Sequence, residues 1–165
     1  MEPITEFRTI DASGPEPSDR AASGVIAGTG GALELGRVDT TDEAQDIPVR
    51  VLWWRVSDMR GCAEITNIRA RLTGTDTLAG DNAWHMDITD SWTPGKTPVQ
   101  VATGSPGIAP SDTPGAALER AGGGPIEGTS HDQTSQYIYI AGRIAVNETT
   151  GDKTGIVLEV TYDYR

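Results

Sequence analysis

Cysteine is all but missing from this chain. Cys62 stands alone, so no internal disulfide can form, and the stapled scaffolds of small secreted proteins are excluded. A solitary thiol with no basic neighbours reads as a small buried hydrophobe rather than a nucleophile. Histidine is nearly as scarce: His85 and His131 are the two present, they share no metal-binding spacing, and one cysteine cannot complete a thiolate zinc site. Lysine is limited to Lys96 and Lys153, and phenylalanine to Phe7. No apolar run approaches the roughly 20 residues that a membrane helix needs. Residues 1–8 carry neither a basic nor an apolar leader region, which leads us to expect synthesis in a cytoplasm without a signal peptide. Net positive charge is lacking too. A formal charge of −11 leaves no basic footprint for nucleic acid, and we expect neither a nucleic-acid nor a membrane partner.

What the chain does contain is turn chemistry and alternation. Its 165 residues include 20 glycines and 10 prolines against 36% hydrophobic residues, a mixture that favours short strands and loops in a single domain. Residues 1–23, punctuated by Pro3, Pro15 and Pro17, read as an extended N-terminal arm preceding one domain over residues 24–165. Strand-like pieces follow at 23–27 and 32–38. In residues 47–57, Ile47, Val49, Val51 and Trp53 share one face while Leu52, Trp54 and Val56 share the other, as expected of a central strand covered on both sides. Residues 58–61 form a turn. Ile68, Ala70 and Leu72 then alternate with Asn67, Arg69 and Arg71, and Trp84, Met86, Ile88 and Trp92 alternate with polar neighbours. Residues 96–101 could add a short strand. The stretch 102–132, with four prolines and Gly122, Gly123 and Gly124 in a row, reads as a long Gly/Pro-rich loop in which 116–120 alone could make a helical turn. Residues 137–146 and 156–164 alternate cleanly and predict a closing hairpin. The fold expected is all-β, an antiparallel β-sandwich of immunoglobulin-like or jelly-roll type.

The search for chemistry yields little. His131 beside Asp132 could be an oriented base, but Thr103 stands where a nucleophile elbow around Ser105 would need glycine. The glycines at 28, 30 and 31 lack the Lys-Ser/Thr ending of a phosphate loop. Asn147-Glu148-Thr149 matches a glycosylation acceptor, which carries no weight without a secretory route. Asp76, Asp81, Asp87 and Asp90 with Asn82 could gather oxygen ligands for Ca²⁺, though a solvated acidic face explains them as well. We therefore expect no catalytic residues, no cofactor and no metal ligand. His85 falls on the polar side of its strand and reads as a surface histidine. The four tryptophans read as core, although something must cover one face of the Trp53–Trp54 pair. Phe7 and Ile10 of the arm, Trp54, and Tyr137 and Tyr139, which point away from the core side of their strand, are the candidate interface residues.

The run Tyr137-Ile138-Tyr139-Ile140-Ala141, followed by Gly151-Asp152-Lys153-Thr154-Gly155 and the strand to Tyr162, resembles the closing hairpin of immunoglobulin-like modules in virion and appendage proteins. Residues 49–72 resemble such a module's central strands. The Cys…Trp…Cys signature of antibody domains is absent. The resemblance implies a structural protein of a tailed-virus (bacteriophage) particle: a capsid decoration, connector or tail-associated protein. Such a protein would be made in the host cytoplasm, reside in the virion, form a homo-oligomer and partner other virion structural proteins. The alternative expectation is a glycan- or surface-binding sandwich module with Ca²⁺ as a candidate ligand.

Overall fold

The computed structural model of the chain describes residues 1–18, 24–26, 38–74, 83–104, 115–127, 133–146, 148 and 156–165. In chain order the elements are β1 (Ile4–Ile10), β2 (Gly24–Ile26), β3 (Gln45–Asp58), β4 (Glu64–Gly74), β5 (Ala83–Thr89), α1 (Pro98–Gly104), β6 (Ala116–Ala117), β7 (Ile126–Glu127), β8 (Gln133–Thr134), β9 (Tyr137–Ile144) and β10 (Ile156–Tyr164). They build two antiparallel sheets. The larger runs β2-β1-β3-β9-β5, with β8 also on β3; the smaller runs β10-β4-β6, with β7 also on β4. The all-β sandwich expected from alternation is the fold of this chain.

The core between the sheets is supplied by one face of each strand. Leu52, Trp54 and Val56 of β3, Trp84 and Met86 of β5, and Ile138, Ile140 and Ile144 of β9 meet Ile65, Ile68, Ala70 and Leu72 of β4. Leu158, Val160 and Tyr162 of β10 close one side. Cys62 is buried, as its isolation suggested.

Among the described residues, register shifts fall at three places, and two of them break the strict period of two within the core. Between Ile47 and Arg50, β3 advances three residues while β9 advances two (Ile47 opposite Gly142, Arg50 opposite Ile140). Pro48 lies in that gap, where its missing N–H costs no ladder bond. Ile47 is thereby turned to the inter-sheet core, whereas alternation alone had grouped it with Val49, Val51 and Trp53. In β4 the same offset falls between Thr66 and Arg69 against Asp163 and Thr161. Asn67 absorbs it at φ 52°, a left-handed conformation that asparagine tolerates, so Ile65 and Ile68 both reach the core.

Several expectations are corrected. Residues 4–10 are not an arm: β1 is an interior strand of the larger sheet, paired with both β2 and β3, because the prolines of this segment flank the strand instead of interrupting it. Residues 19–23 lie outside the described residues, as do 27–37, which include most of the expected strand at 32–38. Residues 98–104 form a helix, not a strand. Thr97 and Gln100 cap it reciprocally: the Gln100 N–H donates to Thr97 Oγ1 (3.3 Å) and the Thr97 N–H to Gln100 Oε1 (2.8 Å). Pro98 occupies the first helical position. Within the supposed loop 102–132, residues 116–117 are strand, held against Ala70 and Arg69, and 126–127 pair with Glu64 and Ile65. Residues 105–114 and 128–132 are outside the described residues. Finally, β9 and β10 are not a hairpin. Both edges of β9 are taken, by β3 and β5, so β10 joins the other sheet through β4.

Gly142 marks a tight approach in this core. A Cβ there would lie 2.9 Å from the Trp84 ring and 3.2 Å from Ile47 Cδ1. Gly142→Ala is expected to destabilise the fold by about 1–3 kcal/mol through overpacking. Denaturant unfolding monitored by tryptophan fluorescence checks this; a neutral result would mean that the sheets separate freely.

Candidate functional site

Of the candidate interface residues, Tyr137 and Tyr139 lie on the outer face of the larger sheet. On it, Val49, Val51 and Trp53 of β3 lie beside Tyr137, Tyr139 and Ala141 of β9 and form a second buried cluster with Val101 of α1. Ile10, Ala12 and Trp92 pack against it. Tyr137 and Tyr139 are both 0% exposed, so they are not surface aromatics. The rings interlock, with Trp53 edge-on to Tyr137 at 5.9 Å and Trp92 tilted over Tyr137 at 5.2 Å.

The cover consists of residues 11–16, residues 92–97 and α1, and it is stitched by polar groups. The Gly95 N–H donates to the Ala12 carbonyl (2.7 Å) and Trp92 Nε1 to that of Gly14 (3.3 Å). The Tyr137 hydroxyl donates to Glu16 Oε1 (3.0 Å), and the Tyr139 hydroxyl accepts from the Thr93 N–H (2.9 Å). Lys96 places its ammonium 4.4 Å from the Tyr139 ring centre and pairs with Asp87, whose side chain and its own are 11% and 12% exposed. An aromatic face filled by the chain's own cation leaves no open platform.

The remaining candidate residues fare similarly. Trp54 is buried between the sheets and tilted against Tyr162 at 5.1 Å. Phe7 packs on that same core, and Ile10 on the outer cluster. Trp54, Tyr137 and Tyr139 are thus buried within the chain's own layers, while Phe7 and Ile10 are half-buried on the two faces of β1. Trp92 is not in the alternation of β5, which ends at Thr89; it folds back over the outer face. His85 is half-buried, with Nδ1 enclosed and without a hydrogen bond, rather than on the surface.

Charge on this face is organised around Glu6. Its Oε1 accepts from Arg8 Nε (2.9 Å), Arg8 Nη2 (2.7 Å) and Arg55 Nη1 (2.8 Å). Burial pushes the Glu6 carboxyl up, but the hydrogen bonds and charges of Arg8 and Arg55 outweigh it and hold it below its ordinary value. The candidate Ca²⁺ constellation is not assembled among the described residues. Asp87 is paired with Lys96. Asp90 accepts from the Gly122 N–H (3.0 Å) and from Gln136 Nε2 (3.1 Å), tying two loops together. Asp76, Asp81 and Asn82 lie outside the described residues, as do Ser105, His131 and Asp132. No group of three or more His, Cys, Asp or Glu gathers among the described residues.

An exposed strand edge lies on the opposite sheet. β10 pairs with β4 on one side and, among the described residues, has no neighbour on the other. Val157 and Tyr164 on it are 50% and 46% exposed. Charged side chains normally guard such an edge. Here both carboxylates turn back onto β4: Glu159 bonds Arg71, and Asp163 accepts from Asn67 Nδ2 at 2.7 Å. No sequence pattern flagged this edge, because strand order decides which strand ends a sheet.

No known family, curated protein or solved structure matches this chain.

Two predictions follow from the buried charges. Because the folded Glu6 carboxyl sits below its ordinary value of 4.5, its network stabilises the fold fully above that pH, and the contribution is lost as pH falls through the lowered value. Glu6→Gln should therefore be less stable than wild type at neutral pH and should lose less stability on acidification; parallel pH–stability curves would refute the assignment. Lys96→Met leaves Asp87 buried and unpaired and is expected to cost about 3–5 kcal/mol. Adding Asp87→Leu should recover most of that loss, as measured by chemical denaturation.

Proposed function

We propose that this protein is a non-enzymatic structural subunit of a tailed-virus particle, acting through subunit interfaces as a capsid decoration, connector or tail-associated protein. The observation that carries the reading is the β10 edge: nine residues long, apolar at Val157 and Tyr164, with Glu159 and Asp163 bonded across to β4. An edge of that kind is a template for an added strand from another chain. The charge of −11 keeps such a subunit soluble before assembly.

A glycan-binding module would need exposed aromatics, and the tyrosines first offered for that role are buried. A Ca²⁺ site would need free carboxylates, and Asp87 and Asp90 are already bonded. We therefore favour assembly over small-ligand binding.

Immunogold electron microscopy, with antibody against this chain applied to particles released from cells carrying its gene, tests the reading. Gold on a fixed part of tailed particles is the expected result. Unlabelled particles, together with a purified chain that binds no shell or tail protein, would overturn it.

A further inference from the structure

We propose that β10 pairs with β10 of a second copy, antiparallel and centred on Tyr162, joining the two smaller sheets into one. The proposal rests on the reading of this edge as an interface and specifies its occupant and register.

Directly opposite residues of an antiparallel pair point to the same face. A two-fold axis perpendicular to the sheet must therefore pass through a residue that faces its own copy. Along β10, Val160, Tyr162 and Tyr164 share one face, while Val157, Glu159, Thr161 and Asp163 share the other. Charge then selects among the centres. An axis at Glu159 or Asp163 sets a carboxylate against itself, and an axis at Thr161 sets Glu159 against Asp163 twice. Such like-charge pairs are unfavourable. An axis at Val160 removes the clash but gives Glu159 no better opposite than Thr161, and Asp163 none better than Val157.

The axis at Tyr162 is complementary throughout. Glu159 of each copy lies opposite Arg165 of the other, Thr161 opposite Asp163, and Val160 opposite Tyr164, while the two Tyr162 side chains meet at the centre. Arg165 can serve in this way because its backbone continues the ladder with β4: its N–H donates to the Glu64 carbonyl (3.1 Å), and its own carbonyl accepts from the Ala63 N–H (2.6 Å). Its side chain, ion-paired with Glu64, remains 81% exposed. The Glu159 side chain is 40% exposed beside Arg71, so an arriving Arg165 would complete an Arg71–Glu159–Arg165 chain across the two copies. The same register places the half-exposed Tyr164 ring against Val160 of the partner copy, covering apolar surface that is now in water.

Light scattering on the full chain over a range of concentrations should show a dimer of twice the 17.4 kDa chain mass. Arg165→Glu, which sets a carboxylate against each Glu159, should return it to monomer while leaving its circular dichroism unchanged. Register is read by cysteine pairs on the exposed face. Oxidised Thr161→Cys/Asp163→Cys should run as a covalent dimer, whereas Val157→Cys/Asp163→Cys, matched to the Val160 axis, should not. A chain that stays monomeric at every concentration, or that crosslinks through the 157/163 pair instead, overturns the proposal. A monomer that still labels virus particles would overturn this pairing alone, and a dimer absent from particles would overturn the functional reading alone.

Discussion

Trp53 of β3 and Tyr137 and Tyr139 of β9 form an apolar surface on the side of their sheet away from the inter-sheet core, and much of the architecture answers the need to bury it. Aromatic side chains of this size each hide on the order of 150–250 Å², so three left in water would forfeit a large part of a small domain's driving force. The chain meets the need with segments that have little structure of their own: a turn at 11–14, the stretch 92–97, and a seven-residue helix. Each is too short to persist alone. Packing on the tyrosines and tryptophans holds them, and they in turn keep those rings dry.

Closing that face sets the electrostatics. Groups brought beneath the cover leave water, and each ion there needs a partner or it becomes a liability. Asp87 lies directly opposite Tyr139 in the ladder and is met by Lys96 from the covering segment. Glu6 is met by two arginines from β1 and β3. In a protein with so much excess negative charge, two of its few cations sit beside one carboxylate and one of its two lysines is enclosed with another.

The two sheets thus differ in what they offer the outside. The larger is covered on both faces, with β3 and β9 in its interior. The smaller has one face in the core, a polar outer face carrying Arg69, Arg71 and Glu159, and a long edge at β10. Among the described residues, no strand pairs with the outer side of that edge.

The sequence by itself determined the fold class, the existence of β3, β4, β5, β9 and β10, and the need for a cover over the Trp53–Trp54 pair, because period-two alternation and apolarity on both faces are local properties of a strand. It also contained two signals that alternation masks: the Thr97-Pro98-Val99-Gln100 cap that starts α1, and Pro48 and Asn67 at the bulges that reassign Ile47 and bring Ile65 and Ile68 to one face. Tertiary structure alone decided that β1 lies inside a sheet, that β9 and β10 belong to different sheets, and that Tyr137 and Tyr139 are covered while β10, among the described residues, ends its sheet. Those are properties of strand order and of which distant segment lies over which face. They depend on pairings between residues tens of positions apart, where many arrangements satisfy the same local pattern and the competition among them for buried area selects one.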